Sequence, residues 1–169
     1  MSAAKPVSAS AVTDQVYWVF PNDLNANDTV FGGMIMAQMD RLCAVVACRH
    51  SDRICVTASV DAVHFLAPAK RGDVLIFAAA VNQVWRSSME GGCRVDAQAI
   101  IGERRHILSA YLTFVSVDDN NKPCPVPALI TQTGEEFRRA GEADLRRSQR
   151  LRHAEELKAF RVQAQQQQQ

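Results

Sequence analysis

An aspartate stands in the middle of a segment that is otherwise apolar. From Met34 to Cys48 only Gln38, Asp40 and Arg41 interrupt the apolar residues. A run of ~15 residues rich in Ala, Met and Leu is too long for an ordinary strand and reads as a buried helix. A carboxylate there is costly to bury without a partner. Burial also favours its protonated form, which suits a general base or nucleophile working near neutral pH. The alternative is an acid at the helix edge, paired with Arg41. Gly32 and Gly33 open the same helix. Glycines let another group approach the backbone, and the free N–H groups of a helix N-terminus suit a carbonyl oxygen or oxyanion; the plainer reading is a loop-to-helix turn. Asn25 lies in the loop ahead, where its amide can donate to a carbonyl and accept from water, or simply cap a turn. Arg86, Ser87 and Ser88 place a cation beside two hydroxyls, a set that meets a phosphate or ends a polar hairpin.

Other chemistries are disfavoured. None of His50, His64, His106 and His153 stands at metal-ligand spacing from another ligand type, so no zinc site is expected. There is no GxSxG elbow, which disfavours a serine triad, and no glycine-rich phosphate loop. Nineteen basic and eighteen acidic residues leave a net charge of +1, too balanced to point to nucleic acid or an anionic membrane as main partner. Five cysteines, an odd number without a CxxC pair, read as buried small hydrophobes in a reducing compartment, either cytoplasm or an organelle matrix. No run approaches the ~18–20 apolar residues of a membrane span.

These residues need a scaffold, and the periodicity supplies one. Gln15–Phe20 reads as a short strand halted by Pro21, followed by an Asx-rich loop over 22–28. After the helix the period changes to two: strands are expected over 54–66, 74–85, 88–101 and 105–117, joined by turns at Gly72-Asp73 and Gly102-Glu103. On the third of these, Met89, Cys93, Val95, Ala97, Ala99 and Ile101 point one way. Consecutive strands with short turns imply an antiparallel sheet. One helix covers one face of it, so the other face or an edge calls for self-association. Residues 1–13 read as a disordered tail and 14–130 as the domain. The stretch 131–169 reads as a charged helical tail, a solvated face or subunit contact, ending in disordered glutamines.

In order, Asn25-Ala26-Asn27, Phe31-Gly32-Gly33, Gln38-Met39-Asp40, Val56 through Asp61, Ser87-Ser88-Met89-Glu90 and Pro123 through Leu129 resemble the hotdog-fold acyl-CoA thioesterases. They look like the brain-type cytosolic acyl-CoA hydrolases and their short bacterial relatives in particular. The resemblance implies an α+β hotdog, a curved antiparallel sheet wrapped around one long central helix, with the C-terminal helical tail added. It implies side-by-side pairing into homodimers, with three pairs forming a hexamer, and active sites between paired protomers. Asp40 would be general base or nucleophile, Asn25 would come from the partner subunit, and Gly33, with Gly32 beside it, would polarise the carbonyl. Arg86, Ser87 and Ser88 would meet coenzyme A, which is part of the substrate; no metal or redox cofactor is implied. Phe31 stands where many relatives carry histidine, and Gly91-Gly92 where they keep β-formers. Two rivals remain, a non-catalytic acyl-CoA sensor or scaffold and an acyl-chain hydratase or dehydratase.

Overall fold

The computed structural model describes residues 3–166. Its centre is helix α1, Gly32–Ser51, about 30 Å long at 1.5 Å per residue. Residues recurring every three or four positions, Ile35, Met39, Leu42, Cys43, Val46 and Ala47, are all buried. They form the stripe that drives the helix onto the sheet; burying each large apolar side chain stabilises the fold by about 1.5–3 kcal/mol. Asp52 ends the helix in the left-handed conformation.

The sheet is five-stranded and antiparallel, in the order β2-β4-β5-β6-β3. Its members are β2 (Val12–Trp18), β3 (Cys55–Val60), β4 (Val74–Val84), β5 (Ser88–Gln98) and β6 (Arg104–Ser116). The inner face presents Leu75, Phe77, Met89, Val95, Leu108 and Phe114 to α1, each fully buried. Gly91 marks the point of closest approach, since a Cβ there would meet the Cβ of Cys43 at 3.3 Å. Gly92 receives the side chain of Asn82 in the same way. The two glycines thus accommodate neighbours rather than interrupt the strand, and the local register shift falls opposite them in β4, between Val81 and Gln83.

Several expectations need correction. Residues 5–13 are folded: Lys5–Pro6 forms strand β1, parallel to β7 (Leu129–Ile130), and Val7 and Ser10 are buried. Lys5 also clamps the end of α1, donating to Asp52 at 2.6 Å and to the Arg49 carbonyl at 3.1 Å. The strand expected over 54–66 pairs only through Val60; beyond it, single backbone bonds from Asp61 to Tyr111 and Leu66 to Ile107 guide the chain. β5 stops at Gln98, so Ile101 is 95% exposed instead of inward-facing.

The charged C-terminal segment is helix α2, Gly134–Gln166. It starts three residues later than expected and takes in Gln165 and Gln166 of the glutamine tract, which was expected to be disordered. Residues 1, 2 and 167–169, parts of the two expected tails, lie outside the described residues. The first half of α2 is no solvated face. It lies across the outer side of the sheet, burying Ala140 and Ala143. Arg146 stacks 3.5 Å above the Tyr111 ring and pairs with the fully buried Glu90 at 2.6 Å. Glu90 also accepts from Asn82 at 3.0 Å, so a carboxylate on the sheet's outer side is sealed by hydrogen-bonded partners.

Candidate active site

Asp40 sits just past the second turn of α1, half-buried, on the side of the helix that leans towards edge strand β3. The hydroxyl of Thr57 donates to its Oδ1 at 2.7 Å. Arg41, the expected alternative partner, makes no ion pair with it among the described residues. A short bond to one carboxylate oxygen orients the group and leaves Oδ2 available to take a proton or attack. Thr57 lies in the Val56–Asp61 segment that carries the resemblance, but nothing in the sequence singles it out as a site residue. The sole signal for it was a hydroxyl on an alternating strand, and only the helix–strand contact reveals its use.

At the helix entrance the first N–H groups have no carbonyl one turn earlier to accept them. The rings of Phe31 and Phe65 lie over Gly33 and Gly32: a Cβ on Gly33 would meet Phe31 at 2.4 Å, and one on Gly32 would meet Phe65 at 3.0 Å. A side chain at either position would push an exposed aromatic ring aside. Phe31, where histidine was the comparison, brings an exposed apolar ring to this turn.

Asn25 is held in a tight Asx turn. Its Oδ1 accepts from the backbone N–H groups of Asn27 and Thr29 at 2.8 and 3.3 Å and from the Thr29 hydroxyl at 3.2 Å, while Nδ2 donates to that hydroxyl at 2.9 Å. The oxygen is saturated, so the amide's remaining capacity is donation, not the dual role expected of it. Asn25 and Gly32 line one open cavity of about 390 Å³, walled by Ile35, Phe65, Leu66 and Pro68.

The structure joins some of these residues and separates others. Asn25 and the Gly32-Gly33 turn are together. Gly33 and Asp40 share a helix stripe but are seven residues, about 10 Å, apart, too far for both to act on one carbonyl of one bound molecule within a protomer. Arg86, Ser87 and Ser88 form the β4–β5 hairpin end. Ser88 stands opposite Val115, which stands opposite Val56, the neighbour of Thr57. The hairpin is thus at the same end of the sheet as Val56, about 10 Å from it across two strand spacings. Arg86 is exposed, the Ser87 carbonyl accepts from the Ser116 N–H at 2.9 Å, and the Ser88 hydroxyl is approached by Arg147 at 3.3 Å.

A family model described as the thioesterase superfamily matches residues 27–100, the span from the Asx loop through β5. The uncharacterized acyl-CoA thioester hydrolase YkhA of Bacillus subtilis (strain 168) is 39% identical over 143 residues, covering 82% of this chain and 83% of that protein. The chain belongs to the thioesterase superfamily, among its acyl-CoA hydrolases. The human cytosolic acyl coenzyme A thioester hydrolase is 33% identical over 83% of this chain, although the match spans only 39% of that longer protein. Among solved structures, an acyl-CoA hydrolase from Bacillus cereus superposes with a TM-score of 0.86 at 38% identity, over 94% of this chain and 98% of that one. An acyl-CoA hydrolase from Staphylococcus aureus, in complex with butyryl coenzyme A, coenzyme A and coenzyme A disulfide, has a TM-score of 0.85 at 34% identity, over 95% and 99%. Alanine variants of that protein at an asparagine, an aspartate and a threonine share the fold. The expected hotdog architecture is borne out.

Among the described residues no three His, Cys, Asp or Glu side chains are grouped so as to hold a metal ion, and no helix is long and apolar enough to cross a membrane. All five cysteines are free thiols.

Proposed function

We infer that this chain is an acyl-CoA thioesterase whose catalytic carboxylate is Asp40, at a site completed by a second copy of the chain. The observation that carries the reading is the fixed Thr57–Asp40 pair on the one side of α1 that the protomer leaves uncovered. Beside it Met36 and Val45 on the helix, and Val56 and Val60 on edge strand β3, are exposed apolar residues. An unpaired strand edge flanked by apolar side chains invites pairing with a like edge. Such pairing brings Asp40 of one protomer towards the helix entrance of the other and removes the 10 Å separation found within one chain. In support, the asparagine, aspartate and threonine varied in the Staphylococcus aureus hydrolase follow the order and spacing of Asn25, Asp40 and Thr57. A solved relative is described as a hexameric acyl-CoA thioesterase, and a hexamer of three such pairs is the assembly proposed here.

The chemistry then follows from the chain's own groups. The partner's Gly33 N–H and the remaining Nδ2 hydrogen of the partner's Asn25 polarise the thioester carbonyl. Oδ2 of Asp40 takes the proton of the attacking water, or attacks the carbonyl carbon itself to give a transient anhydride that water opens. The tetrahedral intermediate collapses by expelling the coenzyme A thiolate, a leaving group of pKa about 8.5 that needs little assistance. Arg86, Ser87 and Ser88 at the hairpin end would meet the nucleotide phosphates. The free thiols fit the reducing cytoplasm named for the mammalian cytosolic relatives.

The test is thiol release from acetyl-, octanoyl- and palmitoyl-CoA by wild type and by Asp40→Asn. Loss of a positioned base removes about 10²–10⁴-fold in rate. Turnover of Asp40→Asn near that of wild type would end the assignment. Silence of both proteins while acyl-CoA still binds would point to a sensor or scaffold.

A further inference from the structure

A second group of side chains with nucleophilic geometry lies on the opposite face of the sheet. The Ser109 hydroxyl is 3.3 Å from Nε2 of His106, and Nδ1 of the same ring is 3.1 Å from Oδ1 of Asp96. Asp96 is 2% exposed and also accepts from Nε of Arg94 at 2.9 Å and Nε of Arg104 at 2.7 Å. Arg104 in turn reaches Asp14 at 3.5 Å. Burial pushes the Asp96 carboxyl up, but the bonds from Arg104 and His106 and the charge of Arg94 outweigh it and hold the group below its ordinary value. An ionised Asp96 accepts the Nδ1 proton of His106, which leaves Nε2 as an acceptor facing the serine.

A strand irregularity makes this possible. Residues three apart on a regular strand face opposite ways. The ladder, however, shifts between Val95 and Asp96, pairing Val95 with Leu108 but Asp96 with His106, so that Ile107 is the extra residue. His106 and Ser109 therefore share the outer face, while Ile107 is buried inside. A two-residue period hides the arrangement, and no nucleophile elbow is needed because the three residues meet across adjacent strands. Ser109 lines a cavity of about 510 Å³ between the sheet and the first half of α2, a size suited to a small ligand. Ala78, Ala80 and Gly92 form its small, apolar floor, with Arg94 and Tyr111 at its side. A charged wall of Glu135, Arg139 and Glu142 from α2 faces them. Arg94 stands directly opposite Ser109 in the ladder, and among the described residues its bonds are all through Nε, to Asp96.

We propose that Ser109, His106 and Asp96 form a second hydrolytic site, separate from Asp40, that cleaves carboxylic esters of small apolar acids. Oγ of Ser109 attacks the ester carbonyl carbon while His106 Nε2 takes its proton. The terminal N–H groups of Arg94 meet the developing oxyanion. His106 returns the proton to the departing alkoxide as the C–O bond breaks, leaving an acyl-serine and an alcohol. Water, deprotonated by His106, then releases the acid and restores Ser109, and Asp96 stays ionised throughout.

The experiment treats the full chain with a fluorophosphonate probe, maps the adduct by peptide mass spectrometry, and measures hydrolysis of p-nitrophenyl butyrate in an Asp40→Asn background. The expected results are one adduct on Ser109, its disappearance in Ser109→Ala, and labelling at least 100-fold slower in His106→Gln. Ester hydrolysis should persist in Asp40→Asn and vanish in Asp40→Asn/Ser109→Ala, while Ser109→Ala keeps its acyl-CoA turnover. No adduct, an adduct elsewhere, or equal labelling of His106→Gln overturns the proposal. None of these outcomes depends on whether Asp40 is the thioesterase carboxylate.

Discussion

Replacing Thr57 by valine keeps the β-branched shape that β3 requires and removes only the hydroxyl that holds Asp40 Oδ1 at 2.7 Å. A hydrogen bond to a charged group contributes about 1.5–3 kcal/mol. Asp40 is half-buried and Thr57 lies on an open edge, so water replaces part of that interaction in a lone protomer; the lower half of the range applies. At about 1.4 kcal/mol per tenfold, a loss of about 1.5–2 kcal/mol of orientation lowers kcat roughly 10- to 30-fold. That is less than Asp40→Asn, because the carboxylate is still present. Thr57 is not placed against the substrate, so KM should stay within about twofold. The assay is steady-state thiol release at several acyl-CoA concentrations, with Thr57→Ser as the control that restores the hydroxyl. If kcat of Thr57→Val is within twofold of wild type, or if only KM moves, the hydroxyl does not position the catalytic carboxylate and the reasoning fails.

Two further outcomes follow from the groups that hold the scaffold. Arg146→Met leaves the fully buried Glu90 with Asn82 and a more distant Arg150 at 3.7 Å; breaking a buried ion pair costs about 3–5 kcal/mol, read as a lower urea midpoint, and Glu90→Gln added to it should recover part of the loss. His50 is buried, with Nε2 donating to the Pro127 carbonyl at 3.0 Å and Nδ1 without a partner, and burial lowers its pKa from the ordinary 6.5. The unfolded chain therefore takes up this proton first as pH falls through 6.5, so stability is complete above that pH and declines below it. The melting temperature of wild type should drop more between pH 7.5 and 5.5 than that of His50→Gln; equal drops would remove His50 from the account.

The sequence disclosed most of what periodicity can encode. The α1 segment, the four strands that follow and the antiparallel order came from apolar spacing, and Asp40 came from violating that spacing. What it concealed depends on contacts between distant residues. Lys5–Pro6 has no strand signal of its own and is ordered by pairing with Leu129–Ile130 and by the bonds of Lys5 to the end of α1. The first half of α2 reads as solvent-facing because its inward residues are alanines and arginines. Their complements, Glu90 and Tyr111, lie on a strand face that alternation alone assigns to water. Thr57 and the His106–Ser109 pair were hidden for related reasons, one needing a helix–strand contact and the other a register shift.

The same physics explains why the catalytic reading leads to a pair of protomers. Helix α1 is apolar on more sides than one sheet can cover; Met36 and Val45 remain exposed on either side of Asp40 along the chain. A helix that is apolar nearly all round belongs in an interior, and the protomer alone does not supply that interior. The exposed Val56 and Val60 of edge strand β3 continue the surplus across Thr57. In the proposed pair, enclosing these residues against a second copy would stabilise the assembly and at the same time exclude water from around the Thr57–Asp40 pair. In a drier site the fixed carboxylate and the helix amides act more strongly on a thioester carbonyl than they would in open solvent. The apolar surplus that calls for a partner and the chemistry assigned to Asp40 therefore have one structural solution.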